Sequence, residues 1–347
     1  MQGPGARARL ASRAGNDSVR LVIDHQAHWY PKALFDAFAQ RDAHPRCSRQ
    51  GSRLVFEPQP DVAIPIRDLF VDLELQLDDM DRNGVDAMLS SPGFIGDVGG
   101  LEAAEARELA ILVNEEYASA QTLYPGRFLG LATLPMQDPQ AALEVLDDAV
   151  QRLGLRGICL HSNIGGRAIC TPETWPVYER LEQLRMPIVL HPTRSVAAAP
   201  FDAFGREIDV IAGWLFDTSA AALSLIFSGT LDEFPHLTIL HPHLGGVLPF
   251  IAARIAGVEH LRPGGRSTAQ PALEYLRDRF YVDTVSGDPG ALRLALDLYG
   301  PERTVFGSDL PWLERAAAVE FVRANLPAPE AQSILANALP LAQSLTM

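Results

Sequence analysis

Short apolar runs alternate with longer amphipathic segments along most of the chain. The short runs have the length of buried strands, and the longer segments repeat their apolar positions every three or four residues, as helices do. Such alternation is typical of a parallel sheet covered by helices, and eight repeats of it predict a closed (β/α)8 TIM barrel. The predicted strands are 21–23, 85–90, 128–134, 157–160, 188–190, 237–240, 280–284 and 304–306.

Two segments interrupt this alternation. Residues 41–65 are rich in Pro, Gly and Arg and predict a small hairpin-like insertion after the first strand, and residues 193–206 predict a loop that leads into an apolar helix. Loops on the catalytic face of a barrel commonly form substrate walls. The first 18 residues show neither pattern, so we expect a disordered lead-in followed by a single barrel domain over 19–347.

The composition argues against several classes of function. The chain has 29 Lys and Arg against 43 Asp and Glu, a formal charge of −14, and its basic residues are scattered, which argues against nucleic acid as a partner. Cys47, Cys159 and Cys170 lack zinc-motif spacing, and we expect buried free thiols in a reducing compartment. No signal-peptide core and no run of about 18 apolar residues is visible, so we expect a cytoplasmic protein without a membrane partner.

Candidate reactive side chains stand where a barrel places its chemistry, at the C-terminal ends of strands. His28 follows the first predicted strand, His191 ends the fifth, His241 and His243 end the sixth, and Asp309 follows the eighth. A single residue of this kind is more often a structural histidine or a capping aspartate. Because four strand ends carry one, we expect a shared reaction centre, with His241 in a structural role.

Imidazole nitrogen and carboxylate oxygen together suit a divalent cation, zinc in the first place and manganese as the alternative. A catalytic metal also keeps one coordination position open for water or substrate. Asp309 has two roles open to it, as a metal ligand or as a partner that orients a neighbouring histidine. His243 stands close to Gly245 and Gly246, which allow a substrate to approach, and is the candidate acid or base.

Five segments resemble, in order and spacing, the amidohydrolase-superfamily branch typified by 2-amino-3-carboxymuconate-6-semialdehyde decarboxylase and related ortho-hydroxybenzoate decarboxylases. They are IDHQAHWYP (23–31), YPGRFLGLATLPMQDPQAAL (124–143), PIVLHP (187–192), FPHLTILHPHLGGVLPFIAARI (234–255) and VFGSDLPW (305–312). The resemblance covers roughly residues 20–345. It implies that His191 binds a metal, that His243 is the acid/base, and that Asp309 binds the metal or assists the base. Arg254 matches an arginine that reaches across a dimer interface to a substrate carboxylate, which implies a homodimer acting on a small-molecule carboxylic acid.

The first motif departs from the family pattern Asp-x-His-x-His. Gln26 stands where the first metal-binding histidine belongs, and a neutral amide is a weaker donor than imidazole or carboxylate. Because strand side chains alternate, Gln26 and His28 are expected on one face and His25 on the other. His25 could replace the missing ligand only through a local bulge.

Several side chains are candidates for binding or repelling the substrate carboxylate. Glu57 aligns near a family segment in which arginine grips a carboxylate, and its own charge would repel one. Arg49 or Arg53 could substitute nearby. Arg254, and Arg194 just after His191, are the remaining candidate cations.

Aromatic residues near the predicted catalytic face could stack on a planar substrate. Trp29 and Trp312 flank the site motifs and are predicted to line the pocket. Trp214 and Phe216 are predicted to belong to the core of an apolar helix. His161 ends the fourth strand and could line the pocket too.

These residues support non-oxidative decarboxylation of a small unsaturated or aromatic carboxylic acid, with His243 as the proton donor. Hydrolysis of a lactone, ester or amide by metal-bound water is the main alternative, since the same superfamily contains such enzymes. A barrel that has lost its metal through Gln26 and works without one, or only binds a ligand, is the third hypothesis.

Overall fold

A computed structural model describes residues 21–51, 53–196, 207–258 and 268–340. Its central element is the predicted barrel, built from eight parallel strand positions. These are β1 (Ile23–His28), β2 (Ala87–Ser91), β3 (Phe128–Gly130 and Ala132–Thr133, interrupted at Leu131), β4 (Ile158–His161), β5 (Ile188–His191), β6 (Ile239–His241), β7 (Phe280–Asp283) and β8 (Thr304–Val305).

Backbone hydrogen bonds close the ring of strands. β1, β2 and the first part of β3 form one parallel group, and the second part of β3 pairs onward through β8 in chain order. The amide of Leu131 donates to the carbonyl of Ser90 and joins the two groups. On the other side, the amides of His25 and His28 donate to the carbonyls of Phe306 and Leu310, so β1 lies beside β8.

Helices follow most of the strands and cover the outside of the barrel. Local sequence signals explain several of their ends. Asp138 and Asp288 cap helix N-termini by accepting backbone amides, and a proline follows each at the first helical position. The main helices are Lys32–Phe38, Leu73–Asn83, Ala103–Leu123, Pro139–Gln151, Trp175–Leu184, Trp214–Phe227, Leu248–Val258, Ala272–Arg279, Pro289–Tyr299, Arg315–Asn325 and Ala328–Ala336.

The inside of the barrel differs between its two ends. The N-terminal end is filled by apolar side chains from six of the strands together with Leu339, which follows the last helix. The C-terminal end carries the polar ends of the strands. This division places a packed apolar base beneath the candidate site.

The insertion after β1 is a three-stranded antiparallel sheet of Arg46–Gln50, Arg53–Glu57 and Ile64–Pro65, with the second strand in the middle. Phe56 anchors it by packing against Phe35 and Phe38 of the first helix. The lead-in 1–18 and residues 197–206 of the second predicted loop lie outside the described residues.

Two sequence expectations change in detail. The first strand runs to His28 instead of ending at residue 23, because its polar side chains face the interior of the barrel and interrupt the apolar pattern. The helical segment 209–227 is long and apolar enough to cross a membrane by length and composition alone. In the fold it packs Ala222, Leu225 and Ile226 into the core. The three cysteines are free, and Cys47 and Cys159 are buried as predicted, whereas Cys170 is half-buried.

Candidate metal centre and active site

Three side chains from β1, β5 and the segment after β8 converge inside the C-terminal end of the barrel. Nε2 of His28 lies 3.1 Å from Oδ1 of Asp309 and 3.3 Å from Nε2 of His191. Both histidines are buried, and the aspartate is largely buried. The structure therefore brings together three residues that the sequence places far apart.

The hydrogen bonds of the two imidazoles favour a cation between them. Nδ1 of His28 lies 3.1 Å from the carbonyl oxygen of Ser91, and Nδ1 of His191 lies 2.6 Å from that of Pro192. Since a carbonyl only accepts, each Nδ1 carries the hydrogen and each Nε2 presents a lone pair. Two lone pairs and a carboxylate oxygen thus face one another, at spacings near the roughly 3.3 Å expected between ligands of a tetrahedral zinc.

Electrostatics agree with this donor set. Burial lowers the pKa of His191 well below its usual 6.5, and the neighbouring His28 lowers it further. A neutral imidazole is the form that binds metal. In the part of the chain that the structure describes, no group of three or more His, Cys, Asp or Glu side chains already stands in a geometry that could hold a metal ion. The assignment of a metal therefore rests on donor chemistry, and the residues fit a divalent cation.

β1 contains a bulge that strict alternation does not predict. Its pairing with β2 slips by one residue between Asp24 and Ala27. His25 and Gln26 consequently both turn into the barrel, and the expectation that His25 faces away from Gln26 is wrong. His25 still does not reach the metal centre, because its ring accepts the amide of Leu339 at the opposite end of the barrel.

Gln26 lies with the candidate ligands but has a different environment. The side chain is buried, and its Nε2 has no hydrogen-bond partner among the described residues. A Cβ added at Gly307 would stand 2.9 Å from the Cβ atoms of both Gln26 and Asp283, so these three positions meet inside the barrel. An orphaned buried amide at this point is consistent with a partner supplied by a ligand.

His243 lies in a strained turn directly after β6. Its φ of 55° and that of Leu244, also 55°, are left-handed, and Gly245 and Gly246 continue with φ of 78° and 60°. Only glycine adopts this region without strain, so the two non-glycine residues mark a conformation that the surroundings impose. Burial lowers the pKa of the His243 ring, and the nearby Asp309 opposes that shift.

A cavity of about 330 Å³ has His243 and Asp309 in its wall. This volume is in the range of small-molecule sites. Most of the remaining wall is aliphatic: Val210, Ile211, Leu215, Leu244, Val285, Ala291, Leu294 and Leu313. The arrangement suits a compact, largely apolar molecule held against a histidine and a carboxylate.

Aromatic rings form one side of the site. Phe94 lies between Trp312 and Trp214, with ring centroids 5.2 and 5.4 Å away, and Trp214 also lines the cavity. Trp312 contacts Phe94 but is not among the described residues that line the cavity, so the pocket wall predicted at Trp312 stays a prediction. Trp214 is not the core residue that its apolar helix suggests. Phe216, the other predicted core residue, is 55 % exposed.

Trp29 does not line the pocket. It follows His28 directly, so strand alternation turns it outward. Its ring packs between Tyr117 and Phe128, and its Nε1 donates to the carbonyl of Val71. The prediction of a pocket wall at Trp29 is therefore wrong.

The predicted carboxylate-binding cations lie outside the cavity. Arg254 is exposed on helix Leu248–Val258, one turn after the cavity residue Phe250, and Arg194 is exposed after β5. Among the lining residues that the structure describes, none is Lys or Arg. Within this chain the described cavity wall therefore gives a substrate carboxylate no cationic side chain.

Glu57 is neutralised within the insertion. It accepts hydrogen bonds from Ser48 and Arg46, and these interactions lower the pKa of its carboxyl group. The expected repulsion of a substrate carboxylate by Glu57 is thus offset locally. Arg49 and Arg53 are exposed at the tip of the hairpin and do not line the cavity.

His161, for which the sequence suggested only a possible place in the pocket wall, lies beside the candidate ligand His191. It pairs in register with His191, and its ring centroid lies 5.9 Å from that of His191. Its Nε2 lies 3.0 Å from the carbonyl oxygen of Gly93, and its Nδ1 lies 3.4 Å from Asp97, which also accepts from Thr193. Asp97 was missed because it lies in an irregular loop that carries no motif.

Comparison with known proteins identifies the family of this chain. The family model described as amidohydrolase matches residues 23–338. The chain belongs to the amidohydrolase family. Among relatives, it is 28 % identical over 243 residues to a 2-amino-3-carboxymuconate-6-semialdehyde decarboxylase of Dictyostelium discoideum, covering 70 % of this chain and 67 % of the relative.

Solved structures of this family share the fold. The 5-carboxyvanillate decarboxylase of Sphingomonas paucimobilis matches with a TM-score of 0.78 and 25 % identity, covering 92 % of this chain and 97 % of that one. A dihydroxybenzoic acid decarboxylase of Polaromonas sp. JS666, with bound manganese and 2-nitroresorcinol, matches with a TM-score of 0.73 and 22 % identity over 94 % and 97 %. The family and the barrel predicted from the sequence are thereby confirmed.

Proposed function

We propose that this protein is a metal-dependent decarboxylase of a small unsaturated or aromatic carboxylic acid, in which His243 delivers the proton. The observation that carries the proposal is the convergence of His28, His191 and Asp309 beside a cavity that His243 also lines. The family relatives, which are named decarboxylases of carboxymuconate semialdehyde and carboxyvanillate, support it.

The metal would be held by Nε2 of His28, Nε2 of His191 and a carboxylate oxygen of Asp309, with the amide of Gln26 as a further donor. A set of two imidazoles and oxygen ligands suits zinc, and manganese is the alternative. When bound, the cation would act as a Lewis acid that stabilises negative charge on a substrate oxygen.

The chain's own residues would supply position and a proton. The aliphatic wall and the Phe94–Trp214 pair would hold a planar ring and exclude water from it. As the bond between the substrate carbon and its carboxylate breaks, the electron pair stays on that carbon and carbon dioxide leaves. A proton from the His243 ring then forms the new C–H bond. Burial lowers the pKa of the His243 ring, and Asp309 opposes that shift and so favours the protonated form that this step requires.

Substitution of His243 tests this role. His243→Asn keeps a residue that tolerates positive φ, so the turn is retained while the acid is removed. We expect kcat for carbon dioxide release to fall at least about 100-fold and the metal content to stay unchanged. The exposed His236→Asn is the control. Carbon dioxide release at the wild-type rate from the His243 variant would contradict the proposal.

Product analysis distinguishes the proposed decarboxylase from the competing hydrolase. Candidate aromatic acids, lactones and esters are incubated with the metal-loaded protein in ¹⁸O-labelled water. Release of carbon dioxide without label in the organic product supports the decarboxylase. Label in the organic product together with no release of carbon dioxide would contradict the decarboxylase and support a hydrolase. Undiminished turnover after removal of the metal by a chelator would support the metal-free alternative.

A homodimer is part of the proposal. The side chains of Phe250 and Ile211 are 81 % and 71 % exposed at the mouth of the cavity, and Arg254 lies one helical turn from Phe250. Apolar groups this exposed are typical of protein interfaces. Burying this face against a second copy would bring its partner's arginine toward a cavity whose described lining holds no cation. Sedimentation of the purified protein measures the assembly.

A further inference from the structure

One buried carboxyl group on the neighbouring strand holds the turn that carries His243. Asp283, the last residue of β7, is fully buried, and its Oδ1 accepts the amide of His243 at 2.8 Å and the amide of Val285 at 3.0 Å. No motif in the sequence marks this residue. Its carboxylate connects the end of β7 to the turn after β6 through the backbone of the candidate acid.

This connection is made at a strained place. Two non-glycine residues in succession, His243 and Leu244, have left-handed backbone angles. Left-handed conformation costs an ordinary residue roughly 1–2 kcal/mol, so such a run persists only where the surroundings over-determine it. The amide of His243 points to Asp283, and without that acceptor it would be a buried donor left without a partner.

The rest of the turn is fixed by close packing. A Cβ on Gly245 would lie 2.8 Å from the ring of Tyr299, and a Cβ on Gly246 would lie 2.5 Å from Oγ of Ser219. That Oγ accepts the amide of Val247. These contacts hold the end of the turn, whereas Asp283 accepts the hydrogen bond that the amide of His243 itself donates.

We infer that Asp283 is a positioning residue for His243, an inference that rests on the proposed function. Oδ1 of Asp283 fixes the backbone of His243 in its left-handed conformation and so aims the ring at the cavity. Proton transfer depends steeply on geometry, and a displacement of about 1 Å can cost about 100-fold in rate. The role requires an acceptor oxygen at Oδ1 and does not require its charge.

Three variants separate these requirements. Asp283→Asn keeps an acceptor oxygen in the same place, Asp283→Leu keeps the shape without any acceptor, and Asp283→Ser keeps a smaller polar group should the leucine variant not fold. The matched control is Asn114→Ala. Asn114 is also buried and accepts a backbone amide at a strand end, that of Thr133 on β3, without contact to the His243 turn.

Hydrogen exchange measured by mass spectrometry tests the geometry without reference to any substrate. We expect peptides covering 241–247 to exchange at least about tenfold faster in the leucine and serine variants than in the wild type. The asparagine variant and Asn114→Ala should exchange there at the wild-type rate. Unchanged exchange in the leucine or serine variant would overturn the inference.

Steady-state kinetics tests the consequence. With an accepted carboxylic acid, kcat should fall at least about 100-fold in the leucine or serine variant, with KM within about threefold, and should recover to within about tenfold of wild type in Asp283→Asn. Faster exchange with unchanged kcat would overturn the positioning role. Absence of decarboxylation by the wild type would refute the proposed function alone, because the exchange measurement still decides whether Asp283 holds the turn.

Discussion

Gln26 occupies an inward position of β1 beside the candidate ligands, where its amide nitrogen is buried without a partner among the described residues. Alternation along β1 places Gln26 on the same inward face as His28, and the bulge turns His25 inward as well. A neutral amide can donate an oxygen to a cation but brings no charge. The metal at this site is therefore expected to bind more weakly than a third imidazole would allow.

Gln26→His tests that expectation. Replacing the amide by imidazole adds a stronger donor, and we expect the Kd for Zn²⁺ to fall at least about tenfold, or about 1.4 kcal/mol. Competition against a chromophoric chelator measures it at pH 7.5. Gln26→Glu is the matched comparison, because it restores an anionic oxygen in a side chain of the same length. An unchanged Kd in both variants would show that residue 26 takes no part in binding.

At the scale of elements, a buried ion pair joins β1 to the segment after β8 on the outside of the barrel. Nε of Arg315 donates to Oδ2 of Asp24 at 3.0 Å, and both side chains are fully buried. Asp24 also accepts the amide and hydroxyl of Ser308, the residue before Asp309. The same network therefore ties the strand carrying His28 to the loop carrying Asp309.

Breaking this pair should cost much more than breaking an exposed one. Arg315→Met leaves Asp24 buried and uncompensated, and we expect the free energy of unfolding to fall by about 3–5 kcal/mol. Arg152→Met, which removes an exposed pair with Asp148, should cost at most about 1 kcal/mol. Urea denaturation of metal-free protein measures both. A similar loss in the two variants would contradict the network's role.

At the scale of the whole molecule, buried neutral histidines couple the stability of the fold to pH. Burial lowers the pKa of His241 from 6.5 to about 3 and that of His25 to about 4. Both ring nitrogens of His241 lack partners among the described residues. Because the folded-state pKa lies below the unfolded one, the unfolded chain binds more protons between pH 6.5 and these values. Stability is thus complete above about pH 6.5 and is lost as the pH falls below it.

His241→Leu should reduce the dependence of the free energy of unfolding on pH below pH 6.5. Each such histidine contributes at most about 1.4 kcal/mol per pH unit to the slope, so removal of one should reduce the slope between pH 6 and 4 by up to that amount. Urea denaturation at several pH values in the presence of chelator measures it. The exposed His236→Gln should leave the slope unchanged. An equal slope in wild type and His241→Leu would refute the claim that buried neutral His241 couples stability to pH.

Much of the fold and of the site can be predicted from the sequence. The eight apolar runs give the eight strands to within a few residues, except for β1, where inward polar side chains break the pattern. His28, His191, His243 and Asp309 can be selected because barrel chemistry falls at strand ends, which is a matter of position along the sequence. Trp29 was predicted to line the pocket and packs outside it, whereas Trp214 was predicted to lie in the core and lines the cavity. The apolar character of a residue does not indicate on which side of a strand or helix its ring lies.

The sequence by itself determined the order of strands and helices and the types of side chain available at each strand end, because these depend on local periodicity and composition. Only the tertiary structure decided that β1 bulges, that Arg315 reaches Asp24 and that Asp283 holds the amide of His243. These contacts join residues 40 to 291 positions apart. Their formation depends on the closure of the barrel, which no local pattern encodes.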